Sequence, residues 1–161
     1  MAFDSTPLRV EVVSAEGRVW EGDATQVVAR TTEVRVLGDR WQLADAVANL
    51  VQNAISYSDE RARVTISLAL DGDVAEVKVS DNGIGIRPED QDRIFERFFR
   101  VDYGRSRESG GTGLGLSIVR HIAVSHGGDI RVWSRPGQGS TFTLSLPAYL
   151  GAPDDDPEDE E

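Results

Sequence analysis

The 161-residue chain contains no cysteine. Disulfides and thiolate metal sites are thereby excluded, and a reducing compartment fits. No apolar run approaches the roughly 20 residues needed to span a bilayer. The opening Met1-Ala2-Phe3-Asp4-Ser5 lacks the basic-then-apolar pattern of a signal peptide. These absences predict a cytoplasmic segment without a membrane span of its own. Basic residues are in the minority, 17 Lys and Arg against 28 Asp and Glu, giving a net charge of −11. No nucleic-acid partner is expected. The excess is concentrated in Asp154, Asp155, Asp156, Glu158, Asp159, Glu160 and Glu161, so the rest of the chain is only mildly acidic. Residues 150–161 read as a solvated tail, since like charges repel and nothing apolar is available to bury.

What is present suffices for one domain with a true core: 39% of residues are hydrophobic and 28% charged. Residues 8–13, 18–20, 26–30 and 34–37 carry short strand patterns. Gly38-Asp39 breaks the pattern. From there Leu43, Ala46, Val47, Leu50, Val51, Ala54 and Ile55 recur at helical spacing, with Asp39 placed to cap the helix. Residues 64–68 and 74–79 flank Asp71-Gly72-Asp73 as a hairpin. Pro88 opens a predicted short helix through Ile94, Phe95 and Phe98. Residues 114–124 form a helix that emerges from glycines and stops at Gly127-Gly128. A last hairpin joins 130–133 to 141–146. The whole predicts an α+β two-layer sandwich, a mixed sheet with helices on one face.

Three segments carry candidate chemistry. Asn49 and Asn53 lie four residues apart and so project from one face of the long helix. Their neutral carbonyl oxygens suit the hard cation that accompanies a triphosphate, although two surface asparagines would look the same. Asp81-Asn82-Gly83-Ile84-Gly85 ends a strand. Its carboxylate can accept from an exocyclic amine such as that of adenine, and its glycines admit a flat ring; ordinary turns share the pattern. Gly110-Gly111-Thr112-Gly113-Leu114-Gly115-Leu116 precedes a helix, where backbone N–H groups can cradle phosphates. It lacks the Gly-Lys-Ser/Thr ending of a P-loop and does not follow a strand, so a flexible hinge is the competing reading.

Taken in order, these segments resemble the histidine-kinase branch of the ATPase superfamily that includes gyrase B and Hsp90, most closely actinobacterial phosphate-sensing kinases. Asn49-Leu50-Val51-Gln52-Asn53-Ala54 is similar to its N box and Asp81-Asn82-Gly83-Ile84-Gly85 to its G1 box. Ile94-Phe95-Glu96-Arg97-Phe98-Phe99-Arg100 resembles its F box and Gly111-Thr112-Gly113-Leu114-Gly115-Leu116 its G2 box. The resemblance covers about 34–149 and implies ATP and Mg²⁺ as cofactors. It implies that Asn53 ligates Mg²⁺ with Asn49 near the phosphates, that Asp81 reads the adenine amine and that Tyr57 stacks on the ring. Gly83, Gly85 and Ile86 belong to the implied base pocket. Gly111, Thr112, Gly113, Leu114, Gly115 and Leu116 form the implied phosphate loop and lid anchor. Arg97 and Arg100 are candidate γ-phosphate contacts or, alternatively, solvent-exposed charges. Phe95 and Phe98 are expected to dock the lid. Ser56 replaces a lysine frequent in the family. Hydrolytic relatives carry a glutamate base where Asn49 stands, which implies weak hydrolysis and a design for phosphoryl transfer.

The only histidines are His121 and His126. Neither has the Ser-His-Glu-Leu context of a phosphoacceptor, and both read as ordinary helix residues. The implied partners are therefore a separate dimerisation hairpin bearing the acceptor histidine and, indirectly, a response regulator. The implied parent protein is membrane-associated. Residues 8–33 resemble the opening strands of an ATP synthase epsilon subunit, so 1–33 is expected to be a β segment, as in a natural or engineered chimera, that packs against the main domain or extends its sheet. A non-catalytic ATP-binding or partner-docking module is the alternative function. A regulator of rotary ATPases and an anti-sigma-factor kinase are weaker ones.

Overall fold

The computed structural model describes residues 7–9, 18–22, 25–31, 34–58, 62–100 and 113–151, with side chains from residue 34 onward. Eight strands and two helices follow in the order β1 (Pro7–Arg9), β2 (Arg18–Gly22), β3 (Thr25–Thr31), β4 (Arg35–Leu37), α1 (Arg40–Ser56), β5 (Arg63–Asp71), β6 (Val74–Asp81), α2 (Gly115–Ser125), β7 (Asp129–Arg135) and β8 (Gly139–Pro147). Six strands make one sheet ordered β2-β3-β5-β6-β8-β7, in which β3 and β5 run parallel and the other pairs antiparallel. β1 and β4 form a separate antiparallel pair. The expected mixed sheet is thus present, and β3 extends it beyond β5.

Strand pleat decides where the core lies. Val64, Ile66 and Leu68 of β5 are buried on the same phase as Ala75, Val77 and Val79 of β6, Phe142, Leu144 and Leu146 of β8 and Ile130 of β7. The alternate positions Thr65, Ser67, Lys78, Thr143 and Arg131 are half-buried or exposed. α1 and α2 both pack on the apolar face. α1 contributes Leu43, Ala46, Leu50 and Ala54, and α2 Val119, Ile122 and Ala123. Leu50, Leu144 and Phe142 are essentially sealed from solvent, so truncating Phe142 to alanine costs about 3–5 kcal/mol.

Local chemistry sets the element ends. Asp39 caps α1 by accepting the N–H groups of Trp41 and Gln42 at 2.9 and 3.1 Å. Between β5 and β6, Gly72 takes φ +62°, as the first central residue of a type II′ hairpin turn requires. Gly127, at φ +75°, ends α2.

Two expectations need correction. The short helix from Pro88 through Phe98 is only a 3₁₀ turn at Pro88–Asp90 followed by turns. Hydrogen bonds there are mainly three residues apart, Glu96 N–H to Arg93 O and Phe99 N–H to Glu96 O, because Phe98 adopts a left-handed φ of 64° that no helix continues. Phe98 is also 72% exposed and lies outside the core cluster of the described residues. The docking aromatics are Phe95, edge-on to Phe142 at 6.3 Å between ring centroids, and Phe99, beneath the Arg93 guanidinium at 4.5 Å.

Candidate functional site

The apolar columns of β6, β7 and β8 end together in three polar residues on the inward phase: Asp81 after Val79, Ser134 after Val132, and Ser140 before Phe142. Register places Val79 opposite Phe142 and Ser134 opposite Ser140. The sheet face that buries the core therefore turns polar at one end.

Asp81 occupies the centre of that end. Its Oδ1 accepts the backbone N–H groups of Gly83 at 2.9 Å and Ser140 at 3.3 Å. Oδ2 has no hydrogen-bond partner among the described residues. Burial raises the pKa of this carboxyl above the ordinary aspartate value, and the bonds from Gly83 and Ser140 oppose that shift. Asn82 is on the other phase of the strand, and its Oδ1 accepts Arg63 N–H at 2.8 Å, tying the loop to β5.

The glycines after Asp81 bring the loop against its neighbours. A Cβ on Gly83 would stand 2.5 Å from the Tyr57 carbonyl oxygen, and that oxygen also accepts Ile84 N–H at 3.2 Å. Tyr57, the residue after α1, is thereby fixed beside the loop by its backbone. Gly85 has φ +74° and packs directly on the Arg135 carbonyl. Ile86 leans against the core while its N–H donates to Ser134 Oγ at 2.8 Å.

α1 and α2 bring the other two segments together. Asn49 and Asn53 are half-buried on α1. Asn49 donates through Nδ2 to Asp45 O at 2.9 Å, and its Oδ1 would lie 3.0 Å from a Cβ on Gly115, the first residue of α2. The Asn53 carboxamide has no partner among the described residues. α2 begins at Leu114-Gly115 without a side-chain cap, leaving first-turn N–H groups of the kind that receive anions. Leu116 packs into the core. Gly113, at φ +74°, accepts Phe98 N–H at 2.9 Å, so the F-box and G2-box segments are clipped together. Arg97 and Arg100 are both exposed beside that clip. Gly111 and Thr112 lie outside the described residues.

Four residues that the sequence reading passed over complete the site: Gln91, Ser134, Gly139 and Ser140. Gly139 takes φ +101° with its α-carbon packed on the Asp81 carbonyl. The available signal was strand phase, because a serine on an otherwise apolar inward phase marks a place where the core gives way to something polar. His126 is not an interior helix residue: it follows α2, and its ring joins the two helices. His121 is an exposed residue of α2.

Among the described residues no cluster of three or more His, Cys, Asp or Glu could hold a metal ion, and no helix is long and apolar enough to cross a membrane.

Comparison with known proteins agrees with this geometry. The chain is 56% identical over 137 residues to the sensor-like histidine kinase SenX3 of Mycobacterium tuberculosis, a match that takes in 83% of the chain and 33% of SenX3. The chain therefore spans about a third of the length of this relative. That match is longer than residues 34–161 and so reaches into the first 33 residues. The likeness of 8–33 to an ATP synthase epsilon subunit is not shown by these comparisons. Among solved structures, the mycobacterial sensor histidine kinase MprB superposes with a TM-score of 0.66 at 34% identity, covering 76% of this chain and 80% of that one. Full-length ShkA in complex with AMPPNP gives 0.66 at 29% identity, over 78% of this chain and 26% of that one. The profile of the histidine kinase-, DNA gyrase B-, and HSP90-like ATPases matches residues 38–150. With the described parts of the N-, G1-, F- and G2-box segments drawn together beside a helix-covered sheet, the chain belongs to that ATPase family.

Proposed function

We propose that the chain is the Mg-ATP-binding catalytic module of a two-component sensor histidine kinase. In this reading it transfers the γ-phosphoryl group of ATP to a histidine on a dimerisation hairpin, from which a response regulator receives it. The observation that carries the reading is Asp81: a half-buried carboxylate held by two backbone N–H groups, with Oδ2 left to accept. An acceptor-only group at the polar end of a sheet fits the exocyclic amine of adenine. That ShkA was solved with the ATP analogue AMPPNP supports the same ligand class here.

The remaining residues divide the nucleotide between them. Gly83, Gly85, Ile86 and Tyr57 line the base. Gly113, Leu114 and the start of α2 at Gly115 and Leu116 face the phosphates; Gly111 and Thr112, which the family motif assigns to the same loop, lie outside the described residues. Mg²⁺ fits a donor set in which Asn53 supplies one neutral oxygen, since this cation characteristically takes much of its coordination from phosphates and water. When bound, the ion neutralises phosphate charge. Arg97 and Arg100 supply further positive charge toward the γ-phosphate, compensating for Ser56. Asn49 cannot accept a proton, so hydrolysis is weak and positioning dominates.

Calorimetric titration with ATP, with and without Mg²⁺, followed by phosphotransfer to an added acceptor hairpin, tests the reading. One-to-one binding strengthened by Mg²⁺, with label appearing on the hairpin histidine, is expected. Binding without transfer would leave a nucleotide-binding docking module, and no binding by folded protein would remove the site.

A further inference from the structure

Two residues with no hydrogen bond to Asp81 bond both of the segments whose N–H groups orient it. Gln91, just past the 3₁₀ turn, donates through Nε2 to Ile86 O and to Ser134 O, each at 3.1 Å. Ser134 Oγ accepts Ile86 N–H at 2.8 Å and lies 3.0 Å from Gly139 O and 2.8 Å from Ser140 Oγ. Ser134 and Ser140 are buried. Ile86 is therefore gripped at both its N–H and its carbonyl, and the start of β8 is bonded to the end of β7 through a side chain as well as through the ladder.

The two ends of this clasp reach Asp81 by different routes. One is the Gly83–Ile86 loop, whose Gly83 N–H bonds Oδ1; the other is Ser140, whose N–H bonds the same oxygen. A single hydroxyl and a single carboxamide thus hold the donors that fix the carboxylate plane. Three carbonyls, one N–H and a second hydroxyl converge on these two side chains, which is more than burial of an apolar strand end requires. Each such bond is individually modest, but a buried group stripped of its partner pays for its desolvation.

We infer that Gln91 and Ser134 are positioning residues for base selection: by fixing Ile86 and Ser140 they aim Asp81 Oδ2 at a 6-amino purine. The inference rests on the proposed adenine site and deepens it. A 6-oxo purine presents Asp81 with an acceptor oxygen in place of the amine, so its binding gains nothing from the aim of the carboxylate. The ratio of the two affinities is therefore a readout that general loss of stability does not move, because a lower folded fraction weakens both nucleotides alike.

The test is titration of the full chain and of Ser134→Ala and Gln91→Met with Mg-ATP and Mg-ITP, with thermal melts to establish folding. The wild-type chain is expected to prefer ATP. Each variant should lose up to about tenfold in the ATP:ITP ratio, through ATP binding weakened more than ITP binding, as the loss of one buried hydrogen bond allows. Gln91 is only partly buried, so Gln91→Met gives a reading even if Ser134→Ala does not fold. An unchanged ratio in folded Gln91→Met, with both affinities equal to wild type or equally reduced, overturns the inference and leaves the adenine site standing. A wild-type chain that binds both nucleotides equally, or neither, overturns the adenine site itself and the inference with it.

Discussion

The imidazole of His126 accepts the backbone N–H of Asp39 through Nε2 at 3.0 Å, across 87 residues of sequence. The other ring nitrogen, Nδ1, lies 2.7 Å from Ile122 O, so the tautomer that satisfies both contacts is neutral and donates from Nδ1. The start of α1 and the end of α2 are thereby joined at the opposite end of the helix pair from Asn49 and Gly115.

His126→Ala should lower unfolding free energy by about 1–3 kcal/mol, since it leaves a partly buried N–H without its partner. Gly38→Ala should cost a similar 1–3 kcal/mol by overpacking, because its Cβ would overlap the same ring. The double variant should lose less than the sum of the two, since removing the ring makes room for the methyl. Urea unfolding of the three variants measures all of this, and strict additivity would refute the shared contact.

Gly139→Ala should be more damaging to nucleotide binding than to any other property. Its Cβ would overlap the Asp81 carbonyl at φ +101°, and a strain of about 1–3 kcal/mol would fall on the strand end that orients Asp81. Gly137→Ala is the control: at φ +77° it meets nothing within 4 Å, so about 1–2 kcal/mol of backbone cost should leave ATP affinity intact. Parallel melts and ATP titrations separate the two.

Asp81→Asn should change stability and binding in opposite directions. The folded-state pKa of Asp81 is raised, chiefly by burial. The folded state therefore holds the proton more tightly than the unfolded one, and stability falls as pH rises from the ordinary carboxylate value through the raised one. Asparagine removes this loss, so the variant's melting temperature should depend less on pH across that window and exceed wild type above it. ATP binding should weaken in the variant, and in wild type it should weaken as acid neutralises the carboxylate. Melts and titrations from pH 4 to 8 (about the span that brackets a raised carboxyl) provide the check.

Asn53→Ala should leave stability within about 0.5 kcal/mol, because its carboxamide has no partner among the described residues. The increment that Mg²⁺ adds to ATP binding should disappear. Titration with and without the ion reads it directly, and a retained increment would move the metal ligand elsewhere.

Wherever periodicity was strong, the chain was legible. Leu43, Ala46, Leu50 and Ala54 marked α1, and alternation from Val64 and from Val74 marked β5 and β6. Segments with a single dominant contact were less so. The turns after Pro88 look helical because Ile94 and Phe95 are apolar at suitable spacing, yet the left-handed Phe98 and its bond to Gly113 set their path. The same left-handed angle leaves Phe98 exposed while Phe95 and Phe99 pack on the core. Asp81 stands out through its motif and Ser134 through its place on an otherwise apolar strand phase, whereas Gln91 does not: its partners are backbone carbonyls, which leave no side-chain pattern to read.

The pleat of β6 carries a consequence for how such a site survives sequence change. Asp81 lies on the core-facing side of the sheet because it shares the phase of Ala75, Val77 and Val79. Deleting one residue within β6 would present those three to the wrong side or rotate the carboxylate to the outer one. The apolar residues of the strand thus act as a ruler for the group beyond them, and filtering for a dry interior also filters, at no further cost, for a correctly facing carboxylate.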